Sequence, residues 1–504
     1  MKHEDLDVVI IGAGLSGVGA AVHLQKNCPG KTFALLEMRA ALGGTWDLFR
    51  YPGIRSDSDM YTLGYAFKPW SNPKSIADGP DIRAYIEETA REYGVTDKVR
   101  FRHKVLGLDW SSRDARWKVT VEKLDTGEVV TITARYVVAC SGYYRYESGH
   151  TPDFAGREDF RGTIVHPQAW PEDLDYTNKR VVVIGSGATA VTLVPALAQR
   201  AAHVTMLQRS PSYVVSVPGR DILSNGLRRV LPERAVYGFA RVKNVLLTMG
   251  VYNFARRYPA RARKILMRQV QREVGEGFDM KHFSPRYNVW DERLCAVPDG
   301  DLFASLKSGR ASVVTDTIDR FTEDGIKLTS GETLKADIVI TATGLSLQVL
   351  GGASLSVDGE PVKVSDKLYY KGAMLEDVPN LAMVFGYTNS SWTLKADLIS
   401  DYFCRLINHM ERAGFAVATP RRGSMKVDET PFLNLTAGYI QRAIHMLPRQ
   451  GAAEPWKLYQ NYALDYAMMK LRKIDDGALV FTNPPARARD EGAAEPVTAA
   501  EPAE

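Results

Sequence analysis

Two glycine-rich turns, G-A-G-L-S-G at 12–17 and G-S-G-A-T-A at 185–190, predict an α/β protein built from two Rossmann-like dinucleotide-binding domains. Each turn follows an apolar, β-branched run and opens a segment with helical spacing, the strand–turn–helix order of a dinucleotide fingerprint. Repetition is the third observation. Behind each unit come apolar runs with hairpin turns (DTG at 125–127; EDG at 323–325 and SGE at 330–332), then a strand closing in A-C-S-G at 139–142 or A-T-G at 342–344. The repeat divides the chain into a first nucleotide domain at 1–145 and a second at 146–340, the latter with a helical insertion at 216–290. Residues 341–485 return to the first domain, and 486–504 form a tail.

In the first unit Asp7 to Ile11 is the strand, Gly12, Gly14 and Gly17 form the turn, and the next strand, TFALLE, ends in Glu37. The glycines allow a tight turn with a pyrophosphate close to the helix N-terminus, and Glu37 can accept hydrogen bonds from a ribose. In the second unit RVVVI leads into Gly185, Gly187, Ala188, Thr189 and Ala190, and the following strand, HVTMLQRS, ends in Gln208-Arg209. A carboxylate there would repel a 2′-phosphate, whereas a guanidinium binds one bidentately. The second nucleotide is therefore expected to be NADP(H), and the first one with a free 2′-hydroxyl such as FAD. The alternative leaves Arg209 solvated and the second site to NADH.

Between Arg220 and Arg272 thirteen Lys or Arg stand against two acids, Asp221 and Glu233, interleaved with Leu246, Leu247, Tyr252, Phe254 and Ile265. These read as basic amphipathic helices, and two roles are open: contact with an anionic membrane surface or a subunit partner, or a solvated lid over the active site. The tail, ARARDEGAAEPVTAAEPAE, has the composition of a disordered segment.

Composition narrows the class. A chain of 504 residues, 45% hydrophobic, can bury several cores, and its net charge of +5 makes no general case for nucleic-acid binding. Cys28, Cys140, Cys295 and Cys404 are far apart and form no C-x-x-C, so no disulfide framework, zinc site or redox pair is indicated, and no metal is expected. The opening MKHEDLDVVIIGAG lacks the sections of a secretion signal, and no stretch approaches the roughly 20 apolar residues of a membrane span. The expectation is a cytoplasmic protein, soluble or peripherally membrane-associated, of open oligomeric state.

FAD beside NADPH fits a disulfide reductase, but that reaction needs a cysteine pair at the flavin and none exists. What remains is reduction of FAD by NADPH with electrons passed to dioxygen or another acceptor. After Glu37 runs LGGTWDLFRYPGIRSDSDMYTLGYAFKPW, whose paired glycines and Tyr-Pro-Gly predict a rigid loop and neither helix nor strand.

Here the chain resembles a known family. Gly43, Gly44, Trp46, Tyr51, Pro52, Gly53 and Asp57 meet the pattern G-G-x-W-x-x-x-x-Y-P-G-x-x-x-D, which is similar to the first fingerprint of type I Baeyer-Villiger monooxygenases. Phe160, Gly162, His166, Trp170 and Pro171 in FRGTIVHPQAWP meet F-x-G-x-x-x-H-x-x-x-W-P, the second. The likeness covers nearly the whole chain, leaving only the tail outside.

The resemblance implies an FAD-containing, NADPH-dependent enzyme that uses dioxygen to convert small apolar ketones to esters or lactones through a flavin peroxide, and that oxidises sulfur in thioethers or thioamides. It implies that Arg293, in NVWDERLC, is the catalytic cation, oriented by Asp57, and that Gly44, Thr45, Trp46, Asp57 and Trp392 lie against the cofactors. It makes His166 a linker residue between the domains, with Phe160 and Trp170 pinning the linker by packing. The expected pocket is formed by Arg293, the loop near Trp290, the helical insertion and the segment from Tyr387 to Trp392, with Ser391 near the nicotinamide or flavin.

One departure stands out: many family members carry Lys-Arg where this chain has Glu292-Arg293, and that Lys helps hold the 2′-phosphate. Arg209 and Thr189 are left for the contact, and the preference for NADPH over NADH is open. Two competing readings are an N- or S-monooxygenase that forms no ester and a non-catalytic redox sensor signalling through its basic helices.

Overall fold

The runs of Val and Ile at 8–11 and 181–184 are too apolar to face water on either side, and each becomes a central parallel strand of its own sheet. The computed structural model describes residues 4–292, 294–433 and 437–484. Arg293 and the tail expected to be disordered thus lie outside the described residues.

In the first sheet Glu4–Ile11 lies between Phe33–Leu36 and Glu128–Ala139, parallel to both. Antiparallel Arg116–Lys123 and His103–Ser111 extend it. Ser354–Val357 adds to His103–Ser111, and Leu381–Met383 pairs in parallel with the end of Glu128–Ala139. The second sheet has five parallel strands in the order Ala311–Thr315, His203–Gln208, Arg180–Ile184, Ile338–Thr341, Thr163–Val165. Thr163–Val165 belongs to FRGTIVHPQAWP, so that segment is more than the linker expected of it. Its three β-branched residues pair with Ile338–Thr341 and complete an edge.

Helix Leu15–Asn27 packs on Trp392–Ala413 across one core of the first sheet. The insertion comprises helices Ile222–Leu227, Glu233–Arg257 and Pro259–Val274, held between strands Val214–Val217 and Cys295–Pro298, which pair in parallel. Arg241 fastens the long helix to the first sheet's helices. Its guanidinium donates to the carbonyls of Tyr61 (2.9 Å) and Gly64 (2.7 Å) and pairs with Asp397 at 3.1 Å, whose other oxygen meets His23 at 3.3 Å. A cation so enclosed is tolerable because two carbonyls accept from it and a carboxylate balances its charge.

Candidate functional site

A cleft of about 660 Å³ runs between the two glycine turns. Gly12 (φ +95°) and Gly185 (φ +136°) occupy equivalent places, and a Cβ on them would stand 2.7 Å from the Cys140 carbonyl oxygen and 2.3 Å from that of Ala342. The repeated closures A-C-S-G and A-T-G are therefore the strand ends that press against each turn, which only glycine permits. A Cβ on Gly187 would meet no atom within 4 Å, so the second turn opens freely onto the cleft.

Gly12, Gly14, Gly185, Gly187, Ala188 and Thr189 line the cleft; Gly17 and Ala190 do not. Gly17 lets its helix approach the strand, since a Cβ there would be 1.9 Å from the Gly12 oxygen, and Ala190 is fully buried in the second core. Their place in the fingerprint is helix-to-strand packing, one step back from the cleft wall.

Glu37 is buried at the end of its strand and lines the cleft. One oxygen accepts the Ala13 N–H and the other the Arg39 N–H, both at 2.8 Å. Burial pushes its carboxyl up, and these backbone bonds oppose the shift. Trp392 opens its helix against the first turn: its indole donates to the Ser16 hydroxyl at 2.8 Å and its ring stacks on Tyr143 at 5.2 Å. Ser391, expected near the cofactors, is buried behind the cleft against the Thr62 hydroxyl at 2.6 Å.

The segment expected as a loop contains two single-turn helices, Thr45–Leu48 and Met60–Leu63. The second forms because the Asp59 side chain accepts the Thr62 N–H at 3.1 Å, a cap hidden in a run of polar letters. Gly44, Thr45, Trp46 and Asp57 line the cleft. Asp47 beneath them is buried and receives Arg39 (2.8 and 2.6 Å), Arg50 (2.6 Å) and Arg83 (3.2 Å). Asp47→Ala removes the acceptor three guanidiniums share, leaving Arg83 only its bond to Glu87 at 2.8 Å, and is expected to cost about 2 kcal/mol of stability. A thermal melt reads this directly; an unchanged melting temperature would show that the arginines find other acceptors.

The rest of the first fingerprint docks on the second turn. The Tyr51 hydroxyl stands beside the Thr189 side chain, which lowers its pKa, while the larger effect of burial pushes it up to about 12, so it remains a neutral phenol. A Cβ on Gly53 would stand 2.9 Å from the Thr192 oxygen, which is why glycine follows Tyr-Pro. Arg55 reaches Asp301 with a second guanidinium nitrogen at 3.1 Å, a further tie across the cleft.

The second fingerprint stands one layer behind. Phe160 is buried edge-to-face on Phe321 at 6.0 Å, and Gly162 leaves room for the Asp337 carbonyl, 2.5 Å from where its Cβ would be. His166 donates from Nε2 to the Gly344 oxygen at 3.3 Å and accepts the Gln168 N–H at Nδ1 at 3.2 Å. One neutral tautomer does both, and burial lowers its pKa in the same direction. Trp170 packs on the second core, and Pro171 follows it. Of these five none lines the cleft, although Gly344 does.

Arg209 and Glu292 face the cleft together. Burial raises the Glu292 carboxyl above its usual range, opposed by the nearby Arg209. Arg442, on helix Gly438–Ala443, adds a cation that no motif announced. The expected share of the insertion is a correction. Among the described residues no part of its three helices, nor Trp290, lines the cleft. Trp290 instead turns edge-on to Tyr252 at 5.5 Å, in a small core under the long helix.

The chain matches the model of the flavin-binding monooxygenase-like family over residues 72–351, and that of an NAD(P)-binding Rossmann-like domain over residues 10–72. It belongs to the flavin-binding monooxygenase-like family. It is 54% identical over 485 residues to the FAD-containing monooxygenase EthA of Mycobacterium tuberculosis (strain ATCC 25618 / H37Rv), covering 96% of this chain and 99% of that protein. With EthA of Mycolicibacterium smegmatis (strain ATCC 700084 / mc(2)155) it shares 54% over 481 residues, 95% and 97% of the two chains. As a member it is a flavoprotein monooxygenase, with FAD and NADP(H) as cofactors. The same fold is seen in an oxidised steroid monooxygenase bound to NADP (TM-score 0.73, 21% identity, 95% of this chain and 100% of that one). It recurs in an ε-caprolactone-bound cyclohexanone monooxygenase (TM-score 0.74, 21% identity, again 95% and 100%).

Proposed function

We propose that this monooxygenase inserts oxygen beside the carbonyl of small apolar ketones, giving esters or lactones, and oxidises sulfur in thioethers or thioamides. The observation that carries the reading is the docking of the first fingerprint onto the second glycine turn, Tyr51 to Thr189 and Gly53 to the Thr192 backbone, beside the cleft. A loop that spans both nucleotide sites in this way can hold two cofactors in one arrangement while a third molecule reacts between them.

In this reading residues 1–145 with 341–485 form the FAD domain and 146–340 the NADP domain. Gly12 and Gly14 admit a pyrophosphate at the N-terminus of Leu15–Asn27, with Glu37 free to accept from a ribose through its remaining lone pairs. Gly185, Gly187, Ala188 and Thr189 do the same for the nicotinamide dinucleotide, and Arg209 takes its 2′-phosphate. The open space at Gly187 and the absence of any Cβ at the other turn glycines are what two pyrophosphates require. Reduced flavin, when bound, supplies the electrons that split dioxygen between substrate and water. The protein's own part is electrostatic. Arg293, aligned by Asp57, presents a guanidinium that cannot lose its proton to the oxygen atom that gains charge when the carbonyl is attacked. Neutral His166 holds Gly344, and with it the closing strand of the second unit, against the cleft; it moves no proton.

The test is product identity. FAD-loaded protein with NADPH in air is given a phenyl ketone, a medium-chain aliphatic ketone and an aryl methyl sulfide, and products are identified by mass. Ester and sulfoxide are expected. Sulfoxide alone would replace this reading with a heteroatom oxidase, and negligible NADPH turnover would favour a redox sensor.

A further inference from the structure

The long helix Glu233–Arg257 buries one side, through Val236, Tyr237, Ala240 and Val245. Its outer side is apolar as well. Phe239, Val242 and Leu246 (i, i+3, i+7) lie beside Leu247, Val251 and Phe254 (i, i+4, i+7), all exposed, with Leu246 and Leu247 at 62% each. A helix that only shields a core presents polar residues there. The stripe continues onto Ile222, 84% exposed on the short helix whose preceding Asp221 pairs with Lys243.

The next helix supplies the complementary pattern. Arg261, Lys264, Arg268 and Arg272 fall at i, i+3, i+7 and i+11, all exposed, and among the described residues none of them pairs with a carboxylate. At the junction Tyr258 lies between the guanidiniums of Arg257 (5.6 Å) and Arg261 (5.3 Å), an amphipathic ring with cations beside it.

We propose that these two helices form a docking surface for an anionic lipid bilayer. Exposed apolar side chains on one helix and unpaired cations on the next, joined at Tyr258, match an acyl boundary topped by negative headgroups. A second copy of the chain matches less well, because two-fold pairing of this face would set basic stripe near basic stripe. Among the described residues no helix is long and apolar enough to cross a membrane, so the contact lies along the surface. The same helix reaches the site: Val245 and Met249, on its inner side, pack on Tyr387, which lines the cleft. Docking therefore leaves a single helix between the lipid and the cleft, a short route for apolar molecules dissolved in the bilayer. The binding itself does not depend on which substrate is oxidised.

The FAD-loaded full chain is sedimented with vesicles of phosphatidylcholine alone and of phosphatidylcholine with phosphatidylglycerol in equal parts, at low and high salt. Binding about 10-fold stronger to the anionic vesicles, weakened by salt, is expected. Leu246→Asp with Phe254→Asp, and separately Arg261→Glu with Arg268→Glu, are each expected to lose that binding about 10-fold while retaining FAD content and NADPH oxidation in solution. The charge-reversal pair changes only exposed side chains and stands as the control for folding. No sedimentation of wild type with anionic vesicles overturns the proposal, as does binding that both variants retain. A wild-type dimer that ignores vesicles and that Leu246→Asp with Phe254→Asp dissociates would assign the face to a second copy instead.

Discussion

Arg293→Ala is expected to abolish ester formation from ketones, by ~100-fold or more, while NADPH is still consumed and hydrogen peroxide accumulates. Attack on a carbonyl places a full charge on its oxygen, and one pre-aimed donor in a site that excludes water contributes on this scale. Both chain neighbours of Arg293, Glu292 and Leu294, line the cleft, as does Asp57. Sulfoxidation separates the roles, because oxygen transfer to sulfur creates no carbonyl oxyanion; sulfoxide should fall far less than ester in the same variant. Arg293→Lys keeps the charge but loses the planar fork and should fall between wild type and alanine. Asp57→Asn should act in the same direction more weakly. Mass-resolved products from matched ketone and sulfide substrates provide the measurement. An ester rate in Arg293→Ala equal to wild type would remove this residue from the chemistry.

The second large effect concerns the nicotinamide dinucleotide. Arg209→Ala is expected to raise the KM for NADPH by ~10- to 100-fold and to leave that for NADH nearly unchanged, because only the former carries the phosphate a guanidinium binds. Glu292→Gln and Glu292→Lys should move the other way, lowering the KM for NADPH, since the carboxylate facing Arg209 competes with the phosphate. The pH dependence has a definite sign. The Glu292 carboxyl is raised by burial, so at acid pH it becomes neutral earlier than an ordinary glutamate, and wild type should converge on Glu292→Gln. As pH rises through that raised value the carboxylate forms and the wild-type KM for NADPH should climb above the variant's. Using the variant as reference cancels titration of the phosphate itself. Equal responses of NADPH and NADH to Arg209→Ala would contradict the assignment of the second turn.

Local patterns were readable wherever the physical cause was local. Gly12 and Gly185 need positive φ, the β-branched runs need burial on both faces, and the basic helices show a charge excess that any composition count finds. Where several elements had to meet, the letters were mute. Asp47 lies inside the fingerprint as an unmarked position, yet three arginines from two segments converge on it. Arg442 stands in no motif at all, and reaches the cleft only because its short helix is carried there. The insertion was expected to share in the pocket, its basic helices leaving a lid or a membrane or partner contact open, but Trp290 and the three helices pack beside the cleft.

From residue order alone came the two strand–turn–helix units, the acid at the end of one and the arginine at the end of the other, and the two long fingerprints. These are contiguous, and their spacing encodes the turn and the helix start directly. Only the folded chain decided that Tyr51 meets Thr189, that Gly53 abuts the helix behind the second turn, that His166 holds Gly344, and that Gly17 and Ala190 pack inward. Such contacts join segments whose separation along the chain carries no periodic signal. They form because buried polar groups must find partners and close-packed backbones must exclude side chains, conditions that arise only once both sheets are in place.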